Sequence, residues 1–274
     1  MKKILLPLLL LLPCAAFAQT ELDDENDFQT RVSFGMDKKL SKGLHLTVSE
    51  EFRFDNGSTA IDRFQTGVGL SYKLNSFLKA GVGYTLLNPY KNSKSAFSNP
   101  RHRFDVSLTG SYKAGDWTFS LKETFRLTHR SGDFNEYQSA ANAMVLKSRL
   151  SAKYRGFDGF KPYGFLELRN TLNAPAIAAT YSASTGKYLT SAGTEEGEAG
   201  WFISGWNNMY INRYRLGLGC DIKLAPQHDL DVFLYTDYYT EKSIDANGSG
   251  TRLKSYTIQH GINAILGVGY TFSF

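Results

Sequence analysis

Basic residues recur at every second position in segment after segment of this chain: Arg31, Arg53, Lys79, Arg101 and Arg103, Lys122 and Arg126, Lys147, Arg149 and Lys153, Arg213 and Arg215. Glu51, Asp105, Asp221, Asp231 and Asp237 share that parity but are fewer. Residues two apart in an extended chain point to the same side, so each group would line one face of a strand. The planar guanidinium fork suits carboxylates and phosphates, and a net positive face of this kind would favour anionic solutes. The plainer alternative is that the bases pair with the acids and fill a narrow space.

A second candidate chemistry is hydrolytic. His129-Arg130-Ser131, with Asn135 close behind, has a spacing at which a histidine could activate a serine for lipid hydrolysis. No acid is placed to orient His129, so a polar rim segment is the expected reading and no enzyme activity is assigned. His45, His102, His228 and His260 stand apart without metal-ligand spacing, and neither metal nor other cofactor is expected. Four Gly-x-Gly pairs occur, at 67/69, 81/83, 217/219 and 267/269. None opens a helix after a strand, so a phosphate loop is set aside. Their expected role is to leave room for long Arg and Tyr side chains from neighbouring strands. Aromatic and basic residues fall on opposite faces, which argues against nucleic acid.

These candidates need strands to hold them. Segment 28–36 alternates Phe28, Thr30, Val32, Phe34 and Met36 against Gln29, Arg31, Ser33 and Gly35. The same period of two returns in 44–54, 64–74, 78–86, 101–112, 117–127, 144–154, 163–172, 214–224, 230–238 and 256–274. Segment 163–172 alternates poorly, leaving the facing of Glu167 and Arg169 open. Tight turns alternate with longer polar loops near 55–62, 88–100, 130–140, 173–211 and 241–255. Each segment is long enough to cross an apolar band at a tilt, and short turns with long loops fit periplasmic and extracellular ends.

Composition agrees. The chain has 274 residues with 16 Tyr, 19 Phe and 25 Gly, which favours strands joined by turns. A mean hydropathy of −0.30 suits a barrel, because apolar outward and polar inward residues cancel. Residues 1–18 read as a cleaved signal peptide: Lys2 and Lys3, an apolar run, then Ala16-Phe17-Ala18. A lipoprotein signal at Cys14 is disfavoured by Pro13. Residues 19–274 form one domain, whose net charge falls from +5 to about +3 on cleavage, with Cys220 as its single thiol and no disulfide framework.

The final segment, YTIQHGINAILGVGYTFSF, ends on Phe274. It resembles the closing strand of a bacterial outer-membrane β-barrel, in which Tyr270, Phe272 and Phe274 would form the signal read by the assembly machinery. Eleven segments alternate, whereas single-chain bacterial barrels have even strand numbers. The expectation is therefore a single antiparallel transmembrane β-barrel of about 12 strands, with 10 as the fallback. Glu50 and Glu123 break the pattern by falling on the lipid-facing parity. A β-bulge that turns each inward is preferred over a groove between copies.

The short motifs RHRF (101–104), ETFRLTHR (123–130), VLKSRL (145–150), KPYGFLELRN (161–170) and NRYRLGLG (212–219) resemble a family of Gram-negative outer-membrane proteins known only as a domain of unknown function. That resemblance implies a barrel in the outer membrane, in contact with lipid and the assembly machinery, and no established activity. Loop 173–211 has no counterpart in it. The expected function is a porin-like channel with a net basic lumen for small polar or anionic solutes. The alternative is a closed structural or surface-binding barrel plugged by loop 173–211.

Overall fold

The computed structural model describes residues 26–132, 134–135, 138–182, 187–189, 201–246 and 253–274; the expected signal peptide lies outside them. The strands are β1 (Asp27–Ser41), β2 (Leu44–Asp55), β3 (Ala60–Lys73), β4 (Leu78–Lys91), β5 (Ala96–Phe97), β6 (Arg101–Ala114), β7 (Trp117–Arg130), β8 (Asn142–Tyr154), β9 (Phe160–Ser182), β10 (Lys187–Leu189), β11 (Trp201–Ala225), β12 (His228–Ala246) and β13 (Leu253–Ser273). Apart from the two- and three-residue β5 and β10, they form one closed wall in the order β9-β11-β12-β13-β1-β2-β3-β4-β6-β7-β8 and back to β9. No α-helix occurs among the described residues.

The wall has eleven strands, one below the expected twelve, and the reason lies at the seam. β1 and β13 pair in parallel, Asp27 opposite Asn263 through Asp37 opposite Ser273. Every other wall pair is antiparallel. An even count is required only when the first and last strands run in opposite directions. Here β1 begins at the rim that carries the long loops, and β13 ends at the rim that carries the turns.

Alternation places Phe28, Val32, Phe34, Val68, Val82, Val106, Leu121, Leu150, Leu166 and Leu216 outside and exposed. An apolar face of that extent needs a nonaqueous cover. Aromatic clusters fringe it at both rims. On the turn rim Trp117, Tyr154, Phe157 and Phe160 pack in succession at 5.1, 5.0 and 4.6 Å, and Phe272 stacks on Phe274 at 5.5 Å. Near the loop rim Tyr84, His102 and His129 form a second cluster. Trp117 and His129 both face outward on β7. Twelve residues of tilted strand at ~3.4 Å each rise roughly 30 Å, comparable with a bilayer's apolar band.

Four strands stand taller than the rest. β9, β11, β12 and β13 have 23, 25, 19 and 21 residues, against 12 to 15 in the others. Their upper parts form a panel above the loop rim. Residues 173–182 and 201–211, expected within a loop over the mouth, are paired strand instead, with Trp201 opposite Ala179; within 183–200, the described residues 187–189 form β10. Alternation weakens there because neither side of a projecting panel is wholly lipid or lumen. Between β7 and β8, Gln138 reaches β12, its Nε2 donating to Asp245 Oδ1 at 2.7 Å.

Candidate functional site

Strand stagger makes inward residues that face one another climb from the turn rim to the loop rim as oblique rows. One row runs Lys73, Lys79, Thr109, Lys122, Arg149, Glu167, Arg215, Asp237, Asn263. It starts basic and becomes an ion-pair ladder. Glu167 receives Arg149 at 2.6 Å, Lys147 at 3.2 Å and Arg215 at 3.7 Å. Asp237 receives Arg215 through Nε at 2.5 Å and Nη2 at 2.7 Å, and Arg213 at 3.0 Å. Asp237 is 0% and Glu167 3% exposed; carboxylates so far from water persist only with several charged donors.

The adjacent rows are aromatic. Tyr163 faces Gly219, which faces Phe233, which faces Gly267; Phe165 faces Gly217, which faces Tyr235. The absent glycine side chains are where the rings lie. A Cβ on Gly267 would stand 1.9 Å from the Phe233 ring, and one on Gly217 would stand 2.2 Å from the Phe165 ring. Phe233 stacks on Tyr235 at 4.3 Å, and Phe165 meets Tyr235 edge-on at 5.1 Å. Arg149 lies 4.1 Å over Phe165 and Arg215 5.2 Å over Tyr235, so guanidiniums and rings form one layer. Ile265 beside them is also buried, while buried Leu87 and Val145 lie nearer the loop rim, Leu87 opposite Arg101 and Val145 opposite Thr171. The rings, the ion-pair ladder and Ile265 make a septum in the lumen at mid-height.

Above the septum, Arg53 donates to Glu51 at 2.5 Å, Gln65 to Glu51 at 3.0 Å, Arg103 to Gln65 at 3.1 Å, and Arg126 clamps Asp105 with bonds of 2.7 and 2.8 Å. Bases outnumber acids. Arg31 and Arg169 make no ion pair among the described residues, and the Nε of Arg31, Arg103, Arg169 and Arg213 finds no protein acceptor.

Below the septum the lumen opens to the turn rim as a cup of about 660 Å³. One wall carries Lys73, Lys79, Lys113 and Arg155 with the hydroxyls of Thr109, Ser111, Thr118, Ser120 and Ser151. The facing wall carries Tyr163, Asp221, Asp231 and Tyr235. Its acids are already engaged: Lys153 pairs with Asp221, and the Tyr163 hydroxyl donates to Asp231 at 2.8 Å.

The structure thus distributes the expected residues by height. Arg31, Arg53, Glu51, Arg103, Asp105, Arg126, Lys147, Arg213 and Arg215 lie in or above the septum, Arg101 at the loop rim, Arg149 at the septum's lower face, and Asp221 and Asp231 in the cup. Glu167 and Arg169, whose facing was open, point inward between outward Leu166 and Leu168. Three of the paired glycines accept Phe165, Tyr163 and Phe233 rather than arginines, while Gly67, Gly69, Gly81 and Gly269 meet Ser or Thr side chains.

One further expectation is corrected. Glu50 and Glu123 stay outward, with no register shift beside either. Each accepts a cross-strand hydroxyl in place of a bulge, Glu50 from Thr66 at 2.9 Å and Glu123 from Ser148 at 2.7 Å. His129 and Ser131 do not form a pair: His129 Nδ1 is bonded to Asn142 at 2.9 Å, and the Ser131 hydroxyl donates to the Pro100 carbonyl. Among the described residues no group of His, Cys, Asp and Glu could hold a metal ion.

The model of a family described as "Protein of unknown function (DUF2490)" matches residues 28–247. No curated protein matches the sequence. Solved structures with similar folds include an anion-selective porin from Comamonas acidovorans, at 12% identity and TM-score 0.33, over 85% of this chain and 54% of that one. Another is the outer-membrane expressed OmpT of Vibrio cholerae, at 10% identity and TM-score 0.34, over 79% and 61%. The chain therefore spans between half and two thirds of the length of these structures.

Proposed function

We propose that this chain, which belongs to the DUF2490 family of proteins of unknown function, is an outer-membrane barrel whose lumen is closed at mid-height, leaving its chemistry to the two mouths. The septum carries this reading: inward Asp237 and Ile265 are 0% exposed, Glu167 3% and Phe165 5%, so ion pairs and rings pack the lumen at mid-height. The apolar outer belt and its aromatic fringes support the membrane placement. With the tight turns facing the periplasm, the outward aromatics Tyr270, Phe272 and Phe274 sit at the rim where assembly machinery would meet them.

The porin-like reading has one observation in its favour, the excess of arginines over acids above the septum, but it requires the aromatic layer to move. Refolded protein in planar bilayers separates the two. The wild type is expected to be silent, and Phe165→Ala/Phe233→Ala to conduct with anion preference. A stable conductance from the wild type overturns the closed reading. Deleting Phe274 is expected to lower the heat-modifiable folded fraction in cells without changing refolding in detergent; equal loss in both would make the residue structural and not a signal.

A further inference from the structure

We propose that the turn-side cup is a binding site for a small soluble molecule bearing clustered anionic oxygens, a phosphate-type oligoanion, entering from the turn rim alone. That the cup is blind rests on the closed reading above; the site itself rests on its own walls. Lys73, Lys79, Lys113 and Arg155 line the cup without an ion pair among the described residues. The acids of the facing wall are committed to Lys153 and Tyr163, so they do not neutralise the free bases across the cup.

Register puts the bases within reach of a single ligand. Lys73 faces Lys79 directly across β3 and β4, Lys79 faces Thr109, and Lys113 faces Thr118. The hydroxyls of Thr109 and Ser111 line the same wall. Several ammonium groups converging on one wall, beside hydroxyls that donate, match the acceptor-only surface of a phosphate cluster. The volume of about 660 Å³ lies within the usual range for small-molecule sites. The facing wall, with Tyr163 and Tyr235, offers ring faces and a phenol to any organic part of the molecule.

Inorganic pyrophosphate is the probe, titrated calorimetrically into the detergent-folded full barrel at low salt. Saturable one-site binding is expected, weakened at least about tenfold in Lys79→Gln/Lys113→Gln, the loss of one or more charge-assisted contacts. The charge-matched control Lys42→Gln/Lys94→Gln alters two exposed lysines outside the cup and is expected to bind within about twofold of wild type, which separates a site from general attraction. Thr109→Val, at a hydroxyl that lines the cup opposite Lys79, changes no charge, so it reads the same site if the double lysine variant folds poorly; it should weaken binding and leave heat-modifiability intact. Absence of saturable binding to a folded wild-type barrel, or equal loss in the two double variants, overturns the site. Conductance of the same preparation reports independently on the closed reading: a conducting barrel that still binds would refute closure and keep the site.

Discussion

Asp237 is the most deeply buried charge among the described residues. It is wholly buried and takes three donor contacts from Arg213 and Arg215. Replacing it with Ala would strand two guanidiniums away from water, and breaking one partner of a buried ion pair typically costs about 3–5 kcal/mol. Urea unfolding in detergent should show a loss of that size for Asp237→Ala and a smaller one for Asp237→Asn, which keeps acceptor oxygen. Glu50 is the opposite case. It lies at mid-wall among apolar outward neighbours, where the Thr66 hydroxyl donates to it. Glu50→Leu should leave stability unchanged or raise it, whereas Glu50→Lys should cost about 2–4 kcal/mol, as basic residues do at the bilayer midplane. A neutral effect of Glu50→Lys would mean that this face is not covered by lipid.

At the scale of strands, the septum depends on pairs in which a ring occupies the space over a glycine on the next strand. Gly267→Ala places a methyl inside the Phe233 ring volume, and overpacking of this kind costs about 1–3 kcal/mol. The same substitution combined with Phe233→Leu should recover most of that loss, a coupling that a double-mutant cycle in urea measures. Alternation made the strands legible in the sequence, because period two survives any tertiary context in which one face is lipid. The septum was less legible. Phe165 sits in KPYGFLELRN, where Tyr163, Phe165, Glu167 and Arg169 face inward together, so apolar and charged residues share a face and the alternation is blurred. The glycines opposite were visible, but the sequence does not state the register that puts Phe165 rather than an arginine over Gly217. Glu50 and Glu123 were misjudged for a related reason: parity alone called for a bulge, while Thr66 and Ser148, which make an outward carboxylate tolerable, lie on other strands.

For the whole molecule, the seam between β1 and β13 differs from every other joint. Parallel ladders are slightly less stable per residue than antiparallel ones, and only β1 pairs with β13 on that side, from Asn263 to Ser273. Amide hydrogen exchange in detergent should therefore be faster in β1 than in β3 or β7; uniform protection would show that the seam is as firm as the rest. The strand total is the global property that needed the structure: eleven strands close the wall, where an evenness rule had set the expectation at about twelve. That rule presumes both chain ends at one rim. Here Asp27 stands at the loop rim and Ser273 at the turn rim, so the polypeptide cannot be made circular with a short tether. A circularly permuted version would need a connector on the order of 30 Å, threaded past the septum or through the bilayer. In a barrel with adjoining ends a few glycines would do.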